Sequence, residues 1–436
     1  MKRPCIAGRA LSDREEIVSM QKVKYLILGA GPAGLTFAGM LKRKGEDSFL
    51  VLEKEAEAGG LCRSAMVDGS PFDIGGGHFL DVKRPEVNDF FFSFMPREEW
   101  ALFERDSRIA IKGKTVGHPL EANIWQFDLE EQVAYLSSIA RAGCNSGKEM
   151  PESFVEWIRW KLGDKIAEDY MLPYNRKMYA ENLNELGTYW LEKLPDVSFE
   201  ETLRSCLAHR PYGKEPGHAS FYYPKNFGYG EVWLRIAKEL APCVLYHTDV
   251  NVLDCEKRQV RTAAGEVFGA DVIVTTIPWM EYGEIRGMPE ELVSSIQLLR
   301  YNAIETRYCP ENLDTQAQWI YVPDEEIPFH RILVRHNFCR GSRGYWTEAR
   351  KERKLQGAEA LENIRMAGSA DGDSFRFLNV YAYPLNTIGK PEIMKKLLTY
   401  CCSKGIYGLG RWGEHSHHNS DVVAEHAMAL AKRLTN

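Results

Sequence analysis

The spacing of hydrophobic and polar positions changes along this chain, and each change predicts an element. Tyr25-Leu-Ile-Leu28 is an unbroken apolar run of strand length that ends on Gly29-Ala30-Gly31-Pro32-Ala33-Gly34. Apolar residues then recur at helical spacing, and a second run, Phe49-Leu-Val-Leu52, ends on Glu53-Lys54. Strand, glycine turn, helix and strand make a βαβ unit. Between Pro85 and Phe103, the residues Phe90, Phe91, Phe92, Phe94, Trp100 and Phe103 interleave with charges, which predicts a core helix rather than a membrane-surface segment. Arg108 to Val116 reads as a hairpin turning at Lys112-Gly113-Lys114. Leu129 to Trp160 is helical with a break at Gly143 to Gly147, and Ser153-Phe-Val-Glu156 has the spacing of a capping box. Helical character continues through Tyr174 and interrupts the α/β pattern, as an inserted domain would.

Further on, Phe221 to Gly230 reads as a loop before a helix, Glu231 to Leu240. Strands follow at 244–246 and 248–253, then a β-pair between Val260 and Phe268. The apolar strand from Ala270 to a turn at Pro278 returns the chain to the first unit. Tyr301 to Glu348 is strand-rich and predicts an antiparallel sheet walling the site, and Phe375 to Tyr383 adds a strand. Lys351 to Asp373 reads as an exposed helix and loop. Gly405 to Gly413 is a strand running into a glycine turn, and a helix from Asp421 to Leu434 closes the chain. The fold class expected is α/β. A discontinuous Rossmann-like domain takes 23–110, 218–290 and 400–436. A mainly helical insert takes 111–217, an antiparallel-sheet substrate domain takes 291–399, and 1–22 is a flexible extension.

Composition narrows the function classes. At 436 residues, about two domains are expected. The net charge of -6 with dispersed arginines and lysines gives no case for nucleic acid. Ten cysteines without a CxxC pair predict a reduced, cytoplasmic protein with inert thiols. No apolar run reaches the roughly 18 residues of a membrane span. His415, His417 and His418 invite a metal reading, but with no acid or cysteine noted at ligand spacing a solvated or cofactor-edge loop is preferred, and no metal is expected.

The glycines carry the chemistry. Gly29 permits a tight turn out of the strand, Gly31 lets backbone approach a pyrophosphate, and Gly34 lets helix and strand pack closely. Pro32 and Ala33 open the helix, whose N–H groups then face the phosphates. Glu53, about 20 residues on, suits ribose hydroxyls.

Beyond Glu53, Gly59-Gly60-Leu61-Cys62-Arg63 and Phe72-Asp-Ile-Gly75-Gly76-Gly77-His78 resemble the FAD-binding half of the glutathione-reductase-like and amine-oxidase-like flavoproteins. Pro173-Tyr174-Asn175-Arg176-Lys177-Met178-Tyr179, Pro328-Phe-His-Arg331, Tyr383-Pro-Leu-Asn386 and Gly410-Arg411-Trp-Gly413 make the resemblance one to UDP-galactopyranose mutase, from Val23 nearly to the end of the chain. It implies non-covalent FAD held by Gly29, Gly31, Pro32, Ala33, Gly34, Glu53, Lys54, Gly60, Leu61, Gly76, Gly77, Val250, Gly410, Arg411 and Asn419. His78 would shape the flavin face and Arg331 would bind the substrate diphosphate. Tyr174 and Tyr179 would stack on the base, with Arg176 and Asn386 also at the substrate. The activity implied is on a nucleotide sugar through reduced flavin N5, with NAD(P)H a candidate reductant and a homo-oligomer left open. Three departures stand out: no arginine near Val197, no tyrosine near Met394, and His415-Ser-His417-His418-Asn419 after Gly413, where the mutases present tyrosines and an acidic or amide residue. They keep open an FAD-dependent oxidase or desaturase acting on an apolar or amine substrate, and a flavin-binding protein without turnover.

Overall fold

The computed structural model describes residues 21–180, 182–191, 196–213, 219–339, 341–351 and 375–435. The expected extension over 1–20 and the expected helix and loop over 352–373 lie outside these.

Strand β1 (Gln21–Leu28) begins two residues earlier than the sequence pattern suggests and is the centre of an eight-stranded sheet. It pairs in parallel with β2 (Phe49–Leu52) on one side and β3 (Val267–Thr275) on the other. Helix α1 (Pro32–Arg43) crosses between β1 and β2. Tyr25 to Leu28 are all buried, which explains a continuous apolar run in place of alternation. Val244–Leu245 extends the sheet beyond β2, while Gln259–Thr262 and Ile406–Gly408 flank β3. The closing helix α3 (Ser420–Thr435) packs on α1.

The second sheet has seven strands. β4 (Tyr301–Cys309) lies between β7 (Tyr345–Lys351) and β8 (Arg376–Pro384); β7 then pairs with β6 (Arg331–Leu333), and β6 with β5 (Trp319–Tyr321). Burial alternates strictly along β4, so this sheet has one more solvated face. The hairpin Ser107–Ile111 and Lys114–Gly117 completes the edge, with Lys112 and Gly113 at positive φ in its turn. Helices Leu129–Ala140 and Phe154–Ile166, a π turn and α2 (Leu172–Met178) pack together as a separate layer.

Two local expectations change. Ser153 makes no capping bond; its backbone instead forms a β-bridge with Gly187. The capping box forms at Ser198 and Glu201, where both reciprocal bonds are present. Ser220–Pro224 is a strand rather than a loop, because its aromatic residues pair with Trp100–Glu104 and bury Phe221 and Tyr223.

Asp73 ties these pieces together. It accepts from Ser64 Oγ at 2.5 Å, Tyr223 Oη at 2.9 Å and the Tyr229 N–H at 3.1 Å. Burial pushes its carboxyl up to about 6 against those three donors. Removing the acceptor strands three buried donors, so Asp73→Ala is expected to cost about 2–4 kcal/mol in chemical denaturation. Because its folded pKa is raised, ionisation of Asp73 costs stability between roughly pH 4 and 6. That part of the pH slope disappears in the variant.

Among the described residues, no helix is long and apolar enough to cross a membrane.

Candidate functional site

A cavity opens at the carboxyl ends of β1, β2 and β3, the position where open α/β sheets take ligands. Gly29, Gly31, Pro32, Ala33, Glu53, Lys54, Gly60, Leu61, His78 and Arg411 all line it. The glycine turn works as its residue types suggest. Gly29 sits at φ 101°, and a Cβ there would meet Thr276 Oγ1 at 2.5 Å. A Cβ on Gly34 would lie 2.0 Å from the Gly29 carbonyl oxygen, so Gly34 is needed for packing and does not line the cavity. Gly31 differs from both: its backbone is extended, and a Cβ would find only Gly60 Cα, at 3.9 Å. Gly31 and Gly60 thus leave a gap that protein does not fill.

Helix α1 begins at that gap without a side-chain cap and without an acid in its first turn. Its first N–H groups and the helix dipole are turned toward the cavity end, an arrangement suited to an anion. Glu53 accepts from the Ala30 N–H at 2.7 Å and the Glu55 N–H at 3.0 Å. Burial raises its pKa, and those two N–H groups oppose the rise. The carboxylate therefore braces the glycine turn as well as lining the cavity.

Other expected residues lie at the margin. Gly410 is at φ 76° and packs against Ala33, which seats Arg411. Arg411 donates to the His418 carbonyl from Nε and Nη2, at 3.2 and 3.1 Å, and to the Ala382 carbonyl from Nη1 at 3.1 Å. Gly76 and Gly77 abut the second sheet: a Cβ on Gly76 would be 2.5 Å from Glu348 Oε1, and one on Gly77 2.2 Å from Leu333. The Asn419 carbonyl accepts within the first turn of α3. Val250 is buried at the start of its strand and is not among the lining residues.

Arg411 also borders a second group. Its guanidinium lies 5.7 Å from the Tyr383 ring, and Tyr383 Oη accepts from Arg331 Nη2 at 3.2 Å. Tyr179 packs edge-on against Tyr383, and His417 lies 4.5 Å from the same ring. Tyr174 packs edge-on against Tyr321 and His330. The fold thus gathers Arg331, Tyr174, Tyr179 and His417 from β6, α2 and the C-terminal turn into one aromatic cluster.

Arg331 is not a bare cation. Nε and Nη2 both donate to Glu348 Oε2, at 3.0 and 2.5 Å, and the Glu348 side chain is 1% exposed. Burial opposes the guanidinium charge, but Glu348, followed by Tyr383 and Tyr174, holds it firmly protonated. Burial and then Arg331 keep the adjacent His330 neutral, well below the usual histidine range. Arg176 pairs with Glu325 at 3.5 Å on the surface, and Asn386 Oδ1 accepts from Lys390 Nζ at 2.5 Å. Neither lines the cavity.

Sequence reasoning missed Glu348 altogether. It also left Thr276-Ile277-Pro278 as a turn, although the carboxyl end of a parallel strand is a position where a ligand is expected. Asn379 and Tyr381, on the inner end of β8, line the cavity without any motif to mark them. The histidine loop needs correction as well. Glu414 lies 3.4 Å from His418 Nδ1 and 3.0 Å from His426 Nδ1, so an acid does accompany the cluster.

Residues 27–94 match the family model of the NAD(P)-binding Rossmann-like domain. The solved structure of reduced UDP-galactopyranose mutase superposes over 95% of this chain and 94% of that one, with a TM-score of 0.83 at 22% identity. The chain has the fold of UDP-galactopyranose mutase. Cyclohexylamine oxidase from Brevibacterium oxydans shares the mutase-like fold more distantly, with a TM-score of 0.61 over 95% of this chain and all of that one, at 13% identity. Among curated relatives, a Baeyer-Villiger monooxygenase of Pseudomonas aeruginosa is 31% identical over 101 residues, 23% of this chain and 17% of the relative. The chain spans between a tenth and a half of the curated relatives it matches.

Proposed function

We propose that the chain is an FAD-dependent enzyme acting on a nucleotide sugar, in the manner of a UDP-galactopyranose mutase. The observation that carries the reading is the Arg331 cluster: a charged guanidinium among stackable aromatic rings, joined through Tyr383 and Arg411 to the dinucleotide cavity. The cavity fits a flavin dinucleotide on three counts. The Gly31–Gly60 gap and the uncapped end of α1 admit a pyrophosphate, Glu53 suits a ribose, and Lys54 and Arg411 supply positive charge.

Bound and reduced, FAD supplies a nucleophilic nitrogen for the sugar's anomeric carbon. The chain's own part is to bind and orient. Arg331 presents its Nη1 edge to the departing diphosphate, because Nε and Nη2 are held by Glu348 and Tyr383, and those bonds orient the guanidinium before substrate arrives. In this reading Tyr174 and Tyr179, both buried in the aromatic cluster, stack on the base as substrate enters. His78, on the cavity wall beside Tyr229, shapes the site where the isoalloxazine ring would lie. In this reading the first sheet and its helices hold the cofactor, the second sheet walls the substrate, and the helical layer that includes α2 covers it.

Tyr174→Ala is expected to raise KM about 10- to 100-fold with kcat little changed, from the loss of about 1–3 kcal/mol of base stacking, while Tyr174→Phe stays within a few-fold of wild type. Steady-state kinetics on the nucleotide sugar checks this.

A second reading, oxidation of an amine or apolar substrate, is favoured by the carboxylate already matched to Arg331 and by buried Val197 standing where a second diphosphate arginine is wanted. One experiment separates the two. The protein is photoreduced without oxygen and given UDP-, GDP- and dTDP-hexoses, and sugar isomers are followed by chromatography. Isomer formation with the flavin left reduced, and so no net redox change, supports the mutase. A reducible flavin that isomerises none of them, together with peroxide formation from an amine in air, replaces it with the oxidase.

A further inference from the structure

We propose that Glu414, His418 and His426 form a Zn²⁺ site beside the cofactor cavity. Their ligand atoms all lie within 4.8 Å of one another. His426 Nδ1 is 3.0 Å from Glu414 Oε1 and 3.1 Å from Oε2, and His418 Nδ1 is 3.4 Å from Oε2. Zinc bonds of about 2.0–2.2 Å at tetrahedral angles set neighbouring ligand atoms roughly 3.3–3.6 Å apart. The separations from Glu414 to each histidine are therefore already close to the edges of such a site, and small side-chain rotations complete it. The two imidazole rings stand 4.8 Å apart at 76°, so they do not stack on each other.

The three residues come from separately anchored backbone. Glu414 caps the short helix Gly410–Gly413, His418 sits in the turn that follows, and His426 lies in the second turn of α3. Side-chain exposures of 24, 20 and 38% leave the cluster open to entry from solvent and leave room for water as a fourth ligand. Two neutral imidazoles and one carboxylate suit zinc better than Mg²⁺ or Ca²⁺, which prefer all-oxygen shells. Without metal, the same carboxylate is hydrogen-bonded to His426 Nδ1 and lies 3.4 Å from His418 Nδ1, so metal binding displaces protons.

The position gives the site a consequence. His418 lines the dinucleotide cavity, and its carbonyl takes two bonds from Arg411, which lines the cavity as well. A metal at Glu414, His418 and His426 fixes the turn that presents Arg411 by tying it to α3. This inference does not rest on the nucleotide-sugar reading, and its readouts need no turnover.

The test is equilibrium dialysis of the purified full chain against Zn²⁺ near pH 7.5, followed by metal analysis, on wild type, His426→Gln and Glu414→Gln. Wild type is expected to retain one Zn²⁺ per chain, and both variants to bind at least tenfold more weakly. Zn²⁺ should also raise the melting midpoint of wild type and leave that of His426→Gln unmoved. No retained zinc in wild type overturns the proposal. So does equal retention in the variants, which would assign the metal to other groups such as the exposed Cys402.

Discussion

Gly31→Val is expected to fold normally and to purify without flavin colour. The reasoning rests on where its side chain goes. Gly31 has φ -80° and ψ -175°, a backbone that any residue adopts, and its nearest prospective neighbour is Gly60 Cα at 3.9 Å. The added methyls therefore enter the gap at the start of α1 instead of the core, and stability should change by less than about 1 kcal/mol. A pyrophosphate seated on the α1 N–H groups cannot share that gap. Cofactor affinity should drop about a hundredfold or more, or at least ~2.7 kcal/mol. Gly34→Val is the contrast. Its Cβ begins 2.0 Å from the Gly29 carbonyl, so that variant loses fold and cofactor together. Absorbance of the bound flavin against a melting curve for both variants distinguishes the two glycines. A Gly31→Val protein that keeps its flavin would remove the glycine turn from the cofactor site.

The same contrast explains which features were legible in the sequence. The βαβ unit can be read because its information is local. A glycine's freedom, a helix start and an acid at a strand end each act within a few residues of where they stand, and the structure places Gly29, Gly31 and Glu53 around one cavity. The strand periods are legible for a similar reason. A strand buried on both faces loses alternation, as β1 does, and one with a solvated face keeps it, as β4 does. Glu348 could not be seen this way. It matters only because antiparallel register sets it across from Arg331 on β6, and an offset of one residue would turn it to the other face. Glu414 and His426 carry no motif, because the connection between the short helix Gly410–Gly413 and α3 brings them together. The aromatic strand Ser220–Pro224 was mistaken for a loop because its partner, Trp100–Glu104, lies far away in sequence.

Arg331 is the residue at which structural and catalytic explanations compete most directly, and paired substitutions separate them. Arg331→Ala strands the Glu348 carboxylate, buried to 1% exposure, and should cost about 3–5 kcal/mol of stability along with activity. A dead, unstable protein would say nothing about chemistry. Arg331→Met with Glu348→Leu removes both charges and keeps the volume, so most of that stability should return, leaving a deficit within about 1–2 kcal/mol of wild type. Activity should not return. In the proposed reading the free guanidinium edge acts where charge develops on a departing diphosphate, and its loss is expected to lower kcat by about 10²- to 10³-fold in the repaired background. Arg331→Lys should fall between, since it restores a charge but not the planar fork that meets Glu348 and Tyr383 together. Denaturation midpoints and single-turnover rates across the four proteins decide the matter. If the double variant turns over at the wild-type rate, Arg331 is a buried ion-pair partner, and in the proposed reading the diphosphate charge falls to Arg411, the half-buried arginine bordering the cluster.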